Sequence, residues 1–381
     1  IAEAKNLLNS TLSEAPQQDI SDLQVALKQL PEKFNDQEIS LGLVGSYKTG
    51  KTTLKTLLKA EKIDNKVNWL ETNHYNTSSD LVLFLVTGDL SESQWKIIQQ
   101  LNQNYQRCLI IFNKQDQYIP EEKALILQQI QERVKSIIPA NDVIAINSAN
   151  TSLTVRQHQA NGLIEEWIED QPPKIQPLIL RLQEILEQER QQLIWGKVWR
   201  NAVAIKRQGK EILNKIRRDR AFPIIEQYQW VAAATAFANP VSALDLLATA
   251  AINTQMVVDL SDIYQQKFTF SQGQAASTII GKLMVQLGLV EVSTHAISGL
   301  LKSNAVTFVA GGATQGISAA YLTRVAGLSL IEYFQEQDVN VNPKQGIELE
   351  VFSKKLKAVF ERTKRAEILQ SFVRQAIPRL S

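Results

Sequence analysis

Through the first 34 residues apolar side chains recur at helical spacing: Leu7, Leu8 and Leu12, then Leu23, Ala26, Leu27 and Leu30. That spacing predicts two helices, the second stopped by Pro31. The pattern then changes. Glu38–Val44, Lys66–Glu71, Leu81–Val86, Cys108–Phe112 and Val143–Ile146 are short apolar runs, separated by helical segments such as Glu92–Tyr105 and Pro120–Ile138. Strands alternating with helices predict an α/β unit with a mostly parallel sheet and flanking crossover helices. After Ser148 no further strand is expected. Ile164–Trp167 and Leu178–Leu193 read as helical, with Pro172, Pro173 and Pro177 marking a break between them. Residues 194–220 read as a basic amphipathic helix, 229–334 as apolar helices rich in Ala and Gly, and 347–377 as one last charged helix. The fold class expected is an α/β domain followed by an all-α domain. The predicted divisions are N-terminal helices over 1–36, an α/β domain over 37–170, connecting basic helices over 171–228 and a helical domain over 229–381.

Length agrees with more than one core, since 381 residues exceed an ordinary single domain. An apolar fraction of 44% and a charged fraction of 21% belong to a folded chain. The net charge of +2 argues against a nucleic-acid-binding polycation, so no nucleic-acid partner is expected. The lone Cys108 rules out an internal disulfide framework and suits a reducing compartment; its apolar surroundings make it a core residue. The chain begins at Ile1, so a removed leader remains compatible with it.

The strand ending at Val44 runs into Gly45-Ser46-Tyr47-Lys48-Thr49-Gly50-Lys51-Thr52, which has the form G-x-x-x-x-G-K-[ST] with a helix, Thr53–Lys59, behind it. Strand before and helix after is the setting of a phosphate loop. Its glycines let backbone N–H groups close on phosphates, and the helix N-terminus adds positive potential. Gly45, Ser46, Gly50, Lys51, Thr52 and Thr53 are the expected phosphate contacts, with Lys51 reaching the β- and γ-phosphates and the Thr52 hydroxyl holding Mg²⁺. A later strand closes on Asn113-Lys114-Gln115-Asp116. This N-K-x-D arrangement resembles the guanine-specificity motif of GTPases. An Asp116 carboxylate accepts from guanine N1–H and the 2-amino group together, which adenine cannot offer. Asn113 would hold the loop, and the Lys114 stem would lie over the base. Ser148-Ala149 after the last strand is similar to the S-A element of that family, which implies an Ala149 N–H at the guanine 6-oxo group. The expected cofactors are therefore GTP or GDP and Mg²⁺.

The same resemblance carries two departures. Where the family has D-x-x-G, Glu71 stands for the Asp, as a water-mediated Mg²⁺ contact, and His74 stands for the Gly. No switch threonine is assignable, since only Ala60–Asn65 separate the phosphate-loop helix from the next strand. Two explanations stand: residues between Lys59 and Asp80 missing from the sequence as given, or a true deletion that makes a pseudo-GTPase.

In residues 195–220 nine basic side chains (Lys197, Arg200, Lys206, Arg207, Lys210, Lys215, Arg217, Arg218, Arg220) face two acidic ones, Glu211 and Asp219, a local charge of 9 − 2 = +7. With Ile194, Val198, Ile205, Ile212 and Ile216 on one face and Trp195 and Trp199 at one end, this suits an anionic membrane surface or, equally, a solvated helix packed on the next domain. Tyr228–Leu244 and Ser303–Thr323 carry no charge; Asn239-Pro240 looks like a helix start, and Gly312-x-x-x-Gly316 has the spacing that lets helices approach closely. Their scattered Thr, Ser, Asn and Gln are high for lipid-facing helices and ordinary for a tight soluble bundle; a helical hairpin that inserts shallowly or conditionally is the other reading.

Trp230–Asp262 and Ala305–Phe334 resemble a family of bacterial proteins, common in cyanobacteria, that pairs a GTPase domain with a helical DUF697-type domain. The resemblance implies membrane association and GTP hydrolysis. The loop Gly45–Lys51 is also similar to that of the dynamin-related guanylate-binding proteins and atlastins, which have an Arg finger where Lys48 stands. Lys48, Lys51, Thr52 and Glu71 are thus the expected catalytic residues, with Thr52 and Glu71 on the metal. The function expected is a GTP-dependent switch or dynamin-like mechanoenzyme at the cytoplasmic face of a bacterial membrane, with a homo-oligomer through either domain as an expected partner. The competing readings are a non-hydrolysing scaffold and an integral membrane protein with a regulatory nucleotide domain.

Overall fold

The computed structural model describes residues 2–14, 17–35, 38–61, 63, 66–72, 79–158, 164–238, 250–303, 312–337 and 347–380. Contacts divide the chain into two units, Ile1–Leu8 with Ser21–Gln208 and Asn9–Ile20 with Gly209–Ser381. Residues 171–208, predicted as a connector, lie within the first of these.

Two helices, α1 (Ala2–Glu14) and α2 (Gln17–Gln29), come first, as their spacing predicts. The five apolar runs are β1 (Ile39–Gly45), β2 (Val67–Thr72), β3 (Leu81–Val86), β4 (Arg107–Phe112) and β5 (Val143–Ala145). They form one parallel sheet in the order β2-β1-β3-β4-β5. Helices α3 (Lys51–Ala60), α4 (Glu92–Gln103) and α5 (Pro120–Val134) connect them. Both faces of the sheet are covered, so strand residues alternate between two cores. Leu41, Leu43, Leu83 and Leu85 face α3 and α6 (Gln176–Gln188) through Leu54, Leu58, Leu178 and Leu182. Val82, Phe84, Ile110 and Phe112 face α4 and α5 through Ile98, Leu101, Ile130 and Val134. Cys108 lies in the second of these cores, and burial pushes its thiol well above the ordinary range.

The expectation of no strand beyond Ser148 is corrected. β6 (Thr151–His158) and β7 (Ile164–Gln171) form an antiparallel hairpin, with Val155 opposite Trp167 and Thr154 opposite Ile168. Apolar residues at 164, 167 and 168 fit a helical period, but pairing with a β-branched partner segment outweighs it. Such a partner is not visible within the window of one run.

The basic helix is longer than predicted. α7 (Arg190–Ala238) passes through Pro223 without ending. Its buried stripe in the second unit runs through Leu213, Arg217, Ala221 and Ile225, not through Ile212 and Ile216, which are half-buried. Arg217 is thus a core residue: its guanidinium lies 2.6 Å from Glu14 Oε1. It is withdrawn from the set of cations offered to a membrane.

The second unit continues with α8 (Ala250–Ile263), α9 (Phe270–Gln286), α10 (Leu289–Ser303) and α11 (Gly312–Glu336). The predicted last helix is two, α12 (Leu349–Thr363) and α13 (Ala366–Leu380), parted at Lys364-Arg365. α11 is the central helix, buried almost continuously from Gly316 to Phe334 and packed on α8, α10, α12 and α13. The close approach expected of Gly312 is real: a Cβ there would lie 2.9 Å from the Phe237 carbonyl oxygen. The Asn239-Pro240 helix start falls outside the described residues. Among the described residues no single helix is long and apolar enough to cross a membrane. One pair, Phe270–Gln286 with Leu289–Lys302, meets the length and composition but is bent by 66°.

Candidate functional site

In an open parallel sheet, ligands sit beyond the carboxyl ends of the strands, where the strand order reverses. Here β1 connects outward to β2, and the chain then returns to β3 on the other side of β1. The reversal point is therefore the carboxyl end of β1, which is Gly45. The loop Ser46–Gly50 begins there and delivers the chain into α3 at Lys51.

The loop's turn requires backbone that other residues resist. Lys48 has φ 65° and Gly50 has φ 92°, both left-handed. At Gly50 a side chain is also excluded by space: a Cβ would meet the Asn113 amide nitrogen at 2.5 Å. Thr49 closes the turn from within, its hydroxyl donating to Ser46 O at 2.9 Å. Lys51 is buried, and its ammonium donates to Gly45 O at 2.9 Å and Ser46 O at 2.8 Å. A cation is thus held inside the loop against two carbonyls, beside the N-terminus of α3, where an anion would be stabilised. Thr52 and Thr53, in the first turn of α3, are exposed.

Asn113 ends β4 fully buried. Its side-chain nitrogen donates to Thr49 O at 2.9 Å and to Ser148 Oγ at 2.8 Å, while its oxygen accepts from Ser148 N at 3.0 Å. One amide therefore fastens three segments far apart in sequence: the loop after β1, the turn after β4 and the turn after β5. Lys114 follows in left-handed backbone, φ 61° and ψ 42°, and Asp116 is exposed in the short helical turn Gln115–Gln117. Ala149 N donates to Asn147 Oδ1 at 3.3 Å. Thr49 and Asn147 are the members that the sequence reading missed. Both flank motif residues, but their bonds depend on the fold.

The remaining predicted residues divide. Lys48 is exposed, its ammonium 5.8 Å from the ring centre of Tyr47, which is itself 81% exposed. Glu71 lies near the end of the edge strand β2, opposite Leu43 in the register and two residues before the level of Gly45. Its side chain and the segment containing His74 fall outside the described residues. No group of three or more metal-ligating side chains occurs among the described residues.

The geometry defines an α/β unit with a glycine-bounded loop at the sheet's reversal point, joined in one chain to a helical unit. Residues 200–358 match the model of a Domain of unknown function (DUF697), which runs from within α7 into α12. No curated protein matches the chain.

Proposed function

We propose that the first unit binds guanine nucleotide with Mg²⁺ and hydrolyses GTP, as the switch of a protein working at the cytoplasmic face of a membrane. The observation that carries this reading is the Asn113 amide, in contact with both Thr49 of the loop and Ser148 of the last turn. A phosphate loop and a base-reading turn serve one ligand only if they are held in fixed register, and this bond does that. The residues suit the ligand. Lys51 is a cation bonded to two of the loop's own carbonyls, and the left-handed Gly50 leaves no side chain in the turn. Thr52 would hold Mg²⁺, with Glu71 acting through water, and Mg²⁺ would supply charge neutralisation at the phosphates. Asp116, exposed beside the Asn113 turn, would read the guanine edge, with Lys114 and the Ala149 N–H beside it.

Equilibrium binding of labelled nucleotides tests this. Asp116→Ala should abolish tight GTP and GDP binding, and Asp116→Asn should move preference toward xanthine nucleotides. Wild-type protein that binds ATP as tightly as GTP sinks the reading.

A scaffold that binds nucleotide without turning it over is the second reading. It draws on Glu71 in the place of an Asp and on the short connection from α3 to β2. Steady-state phosphate release separates the two. The membrane role rests on Trp195 and Trp199, each 55% exposed on α7, within a stretch that carries Lys206 and Arg207. A dynamin-like device would use Lys48, which precedes Lys51 by one loop turn and is exposed.

A further inference from the structure

In the helical unit a cavity of about 280 Å³ opens between α11, α12 and α13. Its wall is mostly apolar, from Tyr321, Val325, Ile368 and Phe372, and it contains one guanidinium, that of Arg324. We propose that this cavity binds a small monocarboxylate with an apolar body, its carboxylate on Arg324.

Arg324 is the only charged residue between Lys302 and Glu332, in a stretch otherwise free of charge. A lone charge on a central, buried helix is costly unless something compensates it. Among the described residues, Arg324 has no hydrogen bond and no ion pair. Glu226, whose charge reaches it, is itself paired with Arg379 at 3.3 Å. Its contacts are aromatic: the guanidinium carbon lies 5.1 Å from the ring centre of Phe222 and 5.7 Å from that of Phe372. Phe372 in turn stacks on Trp230, with ring centres 6.1 Å apart and planes within 6°. Contact with a ring takes up none of the guanidinium's N–H donors, and those donors match a carboxylate. Partial burial also pushes the Arg324 pKa down, with the charge of Glu226 acting the other way.

The size and the rim narrow the ligand further. A volume of about 280 Å³ holds roughly ten non-hydrogen atoms at ~30 Å³ each. Glu367 lines the cavity and is exposed, so it repels a second negative charge. A monoanion is favoured over a phosphate monoester. This inference is independent of the nucleotide reading, since every residue in it belongs to the second unit.

Titration calorimetry of the full chain with sodium octanoate tests it, with 1-octanol and hexyl phosphate as the comparison ligands. Saturable one-to-one binding of octanoate is expected, with 1-octanol and hexyl phosphate each at least tenfold weaker. Arg324→Met keeps the apolar stem and should weaken octanoate at least tenfold, while raising the melting temperature of the free protein. Ser371→Phe fills the cavity from its exposed side without touching the charge, and should abolish octanoate binding. It decides the matter if Arg324→Met does not fold. The proposal is overturned if wild type shows no saturable binding, or if 1-octanol binds as tightly as octanoate. Hexyl phosphate binding more tightly than octanoate overturns it in favour of a phosphate site. Octanoate affinity unchanged by both substitutions also overturns it.

Discussion

In the parallel α/β unit, buried polar side chains gather at strand ends and reach across to other segments. Asp80, fully buried just before β3, accepts from Ser40 N at 3.0 Å and from Arg200 at 3.0 Å. Asn113 does the equivalent at the other end of the sheet. In the helical unit, several buried serine hydroxyls turn back on their own helix. Ser329 donates to Val325 O at 2.6 Å and Ser293 to Val290 O at 2.9 Å. The difference follows from the backbone. Strand ends leave groups that loops must satisfy, so polar chemistry collects there and can be shaped into a site. Helices satisfy themselves, so a polar side chain inside a bundle usually spends itself locally. In such a unit, specificity comes instead from close approach, as where Gly327 lets Ile225 come within 2.6 Å of a would-be Cβ.

The sharpest way to break this contrast is Asp80→Ala, which takes the buried carboxylate from Arg200, Lys197 and the Ser40 N–H. It should cost the first unit about 3–5 kcal/mol, the usual loss when one partner of a buried ion pair is removed. Urea denaturation followed by signals from each unit should show the first transition moved and the second unchanged. Gly327→Val is the converse. Overpacking against Ile225 should cost the helical unit about 1–3 kcal/mol and leave nucleotide binding intact. Lys48→Ala tests whether the exposed loop cation serves chemistry. GTP affinity should hold, while hydrolysis slows about tenfold, ~1.4 kcal/mol of barrier. Hydrolysis at the wild-type rate would dismiss Lys48 from the mechanism.

The smallest effect is a pH dependence of the helical unit. Burial first, and for Tyr228 also its bond to Asp259, pushes the phenols of Tyr228, Tyr264 and Tyr321 up to about 12. The folded unit holds these protons more tightly than the unfolded chain, whose tyrosines titrate near ~10. The stabilisation is therefore whole below pH ~10 and is lost as pH climbs through about 12. Alkaline melting curves should show it, and Tyr321→Phe should flatten the slope.

The legible parts of the fold were those written in local runs. β3 fills both faces with Leu, Val and Phe, and β4 nearly does so with Cys, Leu, Ile and Phe, so a short apolar stretch suffices to place them. The loop at Gly45–Lys51 and the Asn113 turn were legible because the left-handed backbone at Gly50 and the bonds of the Asn113 amide call for those residue types at that spacing. What escaped depended on distant partners. The β6–β7 hairpin needs two segments to be seen together. Arg217 looked like one of nine surface cations until Glu14 was found against it. The parting of α12 from α13 falls in a charged stretch, Glu361–Arg365, with neither Gly nor Pro to announce it. Arg324 gave a signal, as a lone charge in an apolar stretch, but its meaning lies in the rings around it.

The Glu14–Arg217 pair has a consequence in time. The two residues are 203 positions apart. At ~5–20 residues per second on the ribosome, Glu14 waits about 10–40 s before its partner is made. Until then the Glu14 carboxylate lacks Arg217, Arg220 and Gln265, the three partners that meet it in the folded unit. That unit therefore completes itself only after the chain between has been synthesised, and a fragment cut to residues 200–358 would carry Arg217 into its core without its counter-charge.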